Sequence, residues 1–111
     1  MGTVPDLDLA KIRRYCKDKT PPELRDQIRL EVTVRRTSVT MFDCRPPWSE
    51  DLTEWSRMPI GQLRYDASAN RWTLYWSDRN SRWHLYDLIA PGSVEELLTE
   101  IDKDPTCIFW G

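Results

Sequence analysis

The chain has a single histidine, four glycines and no closely spaced cysteine pair in its 111 residues. Each shortage closes off a kind of chemistry. No Gly-rich loop follows a predicted strand, so neither a P-loop nor a dinucleotide-binding turn is present. No G-x-S-x-G or H-E-x-x-H occurs, and one histidine leaves a nucleophile and base few ways to pair. Cys16, Cys44 and Cys107 are odd in number and far apart, which points to three reduced thiols. A zinc site built from them and His84 is the sharper alternative, although structural zinc usually draws ligands from close pairs. No catalytic residue, metal ligand or cofactor is therefore assigned. There is no apolar run of bilayer length, and no positive segment leads into an apolar stretch at the start. A cytoplasmic protein with no membrane partner is the expectation.

What is present is aromatic and charged. Six tryptophans and four tyrosines accompany a composition that is 40% hydrophobic and 31% charged. That balance belongs to a folded chain rather than a disordered one, and residues 1–111 are expected to form one domain around one core. Sixteen basic and eighteen acidic residues leave a net charge of −2, so no global positive field gathers nucleic acid. The charge is unevenly placed. Arginines gather in the strand-like regions (Arg29, Arg35, Arg36, Arg64, Arg71, Arg79, Arg82), while acid dominates at Glu50, Asp51 and Glu54 and again from Glu95 to Asp104.

The strongest pattern runs from Leu63 to Asp87. Trp72, Leu74 and Trp76 alternate with Arg71, Thr73 and Tyr75, the two-residue period of a strand with one buried side. Leu63 and Tyr65 alternate with Arg64 and Asp66 before it, and Trp83 and Leu85 with Arg82, His84 and Tyr86 after it. Asp66 to Asn70 and Asp78 to Ser81 carry the Asp, Asn and Ser side chains of tight turns. Three antiparallel strands in a meander are predicted. Upstream, Ile28, Leu30, Val32 and Val34 alternate with Arg29, Glu31, Thr33 and Arg35. A turn at Arg36 and Thr37 returns the chain into Val39 to Cys44, with Val39 and Met41 inward and Thr40 and Phe42 outward.

Helices are predicted at both ends. Asp6 to Lys19 shows an apolar stripe at Leu9, Ile12 and Cys16, with Asp6 or Asp8 as cap and Pro21-Pro22 as stop. Ser93 and Glu96 make a capping box ahead of Val94, Leu97, Leu98 and Ile101, a second helix running to Lys103. Between strands 2 and 3, Arg45 to Pro59 reads as a long Pro/Trp-rich loop. Trp48 and Trp55 require it to fold back over the sheet, as structural cover or as a lid that contacts a ligand. The apolar ending, Ile108 to Trp110, calls for docking on the sheet or on a neighbouring subunit.

The fold class is thus α+β, an antiparallel meander of about five strands flanked by an N-terminal and a C-terminal helix. Three segments, FDCRPPW from Phe42, LRYDASANRWTLYWSDRNSRWHLYD from Leu63 and DPTCIFWG from Asp104, resemble a small bacterial family, domain of unknown function three-zero-two-four. That resemblance implies no catalytic or binding residue, because the family has no assigned activity.

Function must then be sought on the sheet. One side is expected to take Leu30, Val32, Val34, Met41, Leu63, Tyr65, Trp72, Leu74, Trp76, Trp83 and Leu85 under the helices. The other presents Phe42, Arg64, Arg71, Tyr75, Arg82, His84 and Tyr86, joined by Trp48 and Trp55 of the loop. Rings mixed with guanidinium groups suit a protein interface, to a partner or to a second copy of the chain. The same mixture suits single-stranded nucleic acid, RNA included. A half-covered sheet shielded by arginine stems is the bland account. A hydrolase or ribonuclease using His84 with Tyr75 and Tyr86 is a further alternative to a non-enzymatic binding module.

Overall fold

A computed structural model describes residues 3–24, 26–47 and 53–110. Helix α1 (Asp6–Lys19) leads through a short turn at Pro22–Leu24 into strands β1 (Arg29–Arg35), β2 (Ser38–Arg45), β3 (Ser56–Asp66), β4 (Arg71–Ser77) and β5 (Trp83–Leu85), and helix α2 (Val94–Lys103) follows. The strands lie in sequence order in one antiparallel sheet. The α+β meander expected from the two-residue period is the architecture found.

Each hairpin is set by its turn. Arg36 takes a left-handed φ of 56° in the two-residue connection between Arg35 and Ser38. At the β3–β4 turn the Asp66 carboxylate accepts from the backbone N–H and hydroxyl of Ser68, and Asn70 supplies the left-handed residue at φ 53°. These are the roles for which Asp and Asn are favoured in turns.

Both helices cover one side of the sheet. Ile12 and Cys16 of α1 and Val94, Leu97 and Ile101 of α2 are buried in one cluster with Val39, Met41, Leu63, Trp72 and Leu74. Trp72 joins the layers. Its indole N–H donates to Asp8 Oδ2 on α1 at 2.8 Å, and its backbone exchanges two hydrogen bonds with Gly92, just before α2. Ser93 caps α2 in a capping box with Glu96, as its spacing predicts. The start of α1 differs: Pro5 precedes the first turn, and no side chain caps it. Asp8 is instead committed to Trp72, which a cap residue facing its own backbone would not reach.

The long stretch after β2 is partly strand. β3 begins at Ser56, so Arg57, Met58 and Pro59 pair with Cys44, Asp43 and Phe42 instead of looping. The register shifts at Met41/Phe42, leaving Ile60 as the extra residue of a bulge that accommodates Pro59 where a regular ladder would need its N–H. Trp48 lies outside the described residues. Trp55, at the foot of β3, is half-buried.

The chain end docks as its apolar character requires. Asp104 ends α2 in a left-handed conformation, and its two carboxylate oxygens accept from the backbone N–H groups of Phe109 and Trp110. Phe109 is buried against Gly61 of β3, where an added Cβ would meet its ring at 3.3 Å.

Strand β5 corrects the sequence reading. Ser77 pairs with Trp83, so the β4–β5 connection holds five residues, 78 to 82, rather than the four inferred from Asp78 to Ser81. A one-residue slip moves every following side chain to the opposite side. Trp83 and Leu85 therefore lie on the helix-free side, with Leu85 exposed, while His84 stands opposite Trp76 and Tyr86 is 2% exposed in the core. Val34, expected inward, is 40% exposed near the β1–β2 turn.

Replacing Trp72 with alanine removes a fully buried ring and its indole tie to Asp8, while the backbone pair with Gly92 remains, and is expected to cost about 3–5 kcal/mol in urea unfolding. Val34→Ala, at an exposed position of the same sheet, is expected to cost well under about 1 kcal/mol in that measurement.

Candidate binding surface

The register assigns Glu31, Thr33, Thr40, Phe42, Gln62, Arg64, Thr73 and Tyr75 to the side of the sheet away from the helices. Among the described residues no helix lies over it. Its rings are nevertheless not bare. The Arg64 guanidinium sits 3.7 Å from the centroid of Tyr75, Arg57 4.3 Å from Phe42, and Arg29 4.0 Å from Trp55. A guanidinium over a ring gains electrostatic attraction and loses part of its rotational freedom.

A polar chain fixes the first of these stacks from below. Arg64 Nε donates to Gln62 Oε1 at 2.6 Å, and Gln62 Nε2 donates to Thr40 Oγ1 at 2.8 Å. Gln62 and Thr40 are buried, flanked across the sheet by Tyr75 and by β1. The second stack is held differently. Arg57 pairs with Glu31 at 3.2 Å beside Cys44, whose thiol pKa is raised by burial and by the neighbouring Glu31. Cys44 is thus a packed thiol rather than a nucleophile.

Five arginines, Arg29, Arg35, Arg57, Arg64 and Arg71, share this side with Glu31 and Asp66. Asp66 is occupied by its own turn, where the Ser68 hydroxyl and the Ser68 and Ala69 backbone hold its carboxyl below the usual range. The side is therefore basic within a chain of net charge −2. Lys11 with Glu95 and Lys19 with Asp102 make their ion pairs between the helices instead.

The predicted surface residues divide into groups. Phe42, Arg64 and Tyr75 come together, Arg71 lies at the far end of the same side, and Trp55 joins through Arg29. Arg82 is exposed in the β4–β5 turn. His84 belongs elsewhere: its imidazole stacks on Trp76 at 4.6 Å and bonds Asp78 at 2.7 Å. Tyr86 is a core residue whose hydroxyl donates to Glu100 at 2.7 Å, and burial with that carboxylate raises its pKa. The acid–base group of His84, Tyr75 and Tyr86 is consequently not assembled, because the β5 slip takes His84 and Tyr86 to the side opposite Tyr75, and there His84 bonds Asp78 at the surface while Tyr86 bonds Glu100 in the core. Arg57 and Arg29 were missed as ring partners. For Arg57 the signal was hidden by reading Pro59 as a loop residue, and for Arg29 its partner Trp55 lay in the same misread stretch.

Cys16 is buried on α1, Cys44 lies on β2, and Cys107 is exposed after α2. No cluster of three His, Cys, Asp or Glu side chains suited to a metal occurs among the described residues. None of the described helices is long and apolar enough to cross a membrane.

An antiparallel five-strand meander with two helices on one side and an arginine-stacked second side defines an α+β protein with an open sheet. The chain belongs to the family described as a domain of unknown function, DUF3024, whose model matches residues 2–111. No curated protein and no solved structure matches it.

The His84–Asp78 pair has a pH signature. The His84 hydrogen bond, followed by the Arg82 backbone N–H, lowers the Asp78 pKa to about 2. A carboxylate whose folded pKa is depressed stabilises the fold above its unfolded pKa of about 3.9, and that contribution is lost as pH falls towards the folded value. In thermal melts, the advantage of the native chain over Asp78→Asn should be full near neutrality, shrink below about pH 4 and vanish near pH 2.

Proposed function

We propose that this protein is a non-enzymatic interaction module that binds an acidic protein surface through the helix-free side of its sheet. The observation that carries the reading is the set of three guanidinium–ring stacks, Arg29 on Trp55, Arg57 on Phe42 and Arg64 on Tyr75. An arginine already held over a ring loses less entropy when its fork meets a carboxylate. Arg, Tyr and Trp are also the side chains that dominate interface energetics. Arg71 and exposed Leu85 extend the same side with a charge and an apolar edge.

The partner is another protein or a second copy. The helix side carries carboxylates such as Glu95, Glu96 and Asp102, each of which would have to share its bond to Lys11, Ser93 or Lys19, so a copy meets the basic side head to tail, an arrangement that forms rings or filaments rather than a two-fold dimer. Light scattering across a concentration series separates the two cases. Arg64→Ala is expected to lower the melting temperature, because it leaves the buried Gln62 Oε1 without its donor, and Tyr75→Ala to lower it less, so association is compared well below both transitions. Each is also expected to weaken the association measured in mass-resolved pulldown and titration by about 2 kcal/mol, the scale of an interface hot spot. A strict monomer whose captured proteins are the same with and without these substitutions would sink the reading.

A second reading, single-stranded nucleic acid, is favoured by one observation: a guanidinium plane lying on a ring offers a flat cation on which a base can stack. Titration with short oligonucleotides at two salt concentrations decides it, because contacts to phosphate weaken steeply as salt rises. Salt-dependent binding that Arg64→Ala weakens would replace the protein partner with nucleic acid.

A further inference from the structure

A second site lies at the edge of the sheet, where α1 meets β1, and it borders the open side through Arg29 and Glu31. A cleft of about 410 Å³ lies between α1 and the edge strand β1. Its floor is apolar, from Leu30, Val32 and the buried Cys16 thiol, and its rim carries Arg13 and Lys17, one helical turn apart. The volume falls within the range of small-molecule sites, about 300–1,000 Å³.

One atom in this cleft is unexplained by the fold. Thr20 is 7% exposed and lines the cleft, yet its hydroxyl has no hydrogen-bond partner among the described residues. A buried hydroxyl left unpaired is destabilising, whereas valine of nearly the same shape would not be. Arg13 and Lys17 likewise form no ion pair with a described residue, although other exposed charges of α1, Lys11, Arg14 and Lys19, do. The acidic group lining the cleft, Glu31, is already paired with Arg57.

We infer that this cleft binds a small organic carboxylate with an apolar body, its head between Arg13, Lys17 and the Thr20 hydroxyl and its body on Leu30 and Val32. The recognition follows from the lining. Two cations without acidic partners among the described residues match a single negative charge, and the hydroxyl donates one directional bond to it. The apolar floor rewards a hydrocarbon chain and gives nothing to acetate or inorganic phosphate. The negative pole of α1 lies close by, so the head must be held by the side chains rather than by the helix terminus. Cys16 takes no chemical part: burial raises its pKa to about 11, which keeps it a protonated wall.

Hexanoate, hexanol and acetate, titrated separately into the full chain and followed by backbone amide NMR, test the inference. Hexanoate is expected to shift the signals of residues 13–20 and 29–32 saturably, and to bind at least about tenfold more tightly than hexanol or acetate, the scale of one charge-assisted bond or a few buried methylenes. Thr20→Val should melt at the same temperature or higher while losing about tenfold in hexanoate affinity, and the exposed pair Arg13→Gln/Lys17→Gln should lose at least as much. Equal binding of hexanoate and hexanol, unaltered hexanoate binding by Thr20→Val, or the absence of saturable shifts with any probe overturns it. Arg64→Ala should bind hexanoate as the native chain does, which keeps this site separate from the open sheet.

Discussion

Trp72 is where both helices are fastened to the sheet. Its ring is fully buried, its indole N–H reaches Asp8 at the beginning of α1, and its backbone pairs with Gly92 immediately before α2. An indole joins a large apolar area to one directional donor, so one residue of β4 fixes where two helices lie. The indole leaves the sheet on the helix side, the Gly92 bridge lies along the edge of β4, and the apolar stripes of both helices close on the same buried cluster. The other side is left to its own side chains.

Those side chains solve the problem of an uncovered sheet by stacking. Phe42, Tyr75 and Trp55 would present bare rings to water, and each is roofed by the guanidinium of an arginine lying over it. Shielding and recognition therefore use the same atoms. The Thr40–Gln62–Arg64 chain adds direction to what would otherwise be a greasy surface, since each of its bonds holds the next group in one orientation. The cleft at β1 has the opposite make-up, an apolar floor with unpaired polar groups at its margin. The two places therefore suit different kinds of partner, one extended and one small.

Much of the fold was legible in the order of residues. The alternation in Arg29 to Arg35 and Arg71 to Trp76, the Arg36-Thr37 turn and the Ser93–Glu96 box each state a local preference that the tertiary structure has no reason to override. Phe42, Arg64 and Tyr75 were legible as neighbours for the same reason, since they sit on strands whose phase is set by long runs. Strand β5 was not. With only three residues it has too short an alternation to fix its own phase, and its register is set by how many residues the Asp78 turn absorbs. Pro59 misled in the same way: proline argues against a regular ladder, but a bulge accommodates it.

The sequence by itself determined the elements, their antiparallel order and the apolar side of each long strand, because period, capping and turn chemistry are local and act within a few residues. Only the tertiary structure decided which arginine lies on which ring, that Tyr86 turns inward to Glu100 while His84 turns to Asp78, and that the Thr20 hydroxyl lines the cleft beside β1 with no partner among the described residues. Those outcomes depend on a turn length, a bulge and the seat of a helix, each of which shifts distant side chains by a whole residue or a whole side. Local preference carries no information about shifts of that kind.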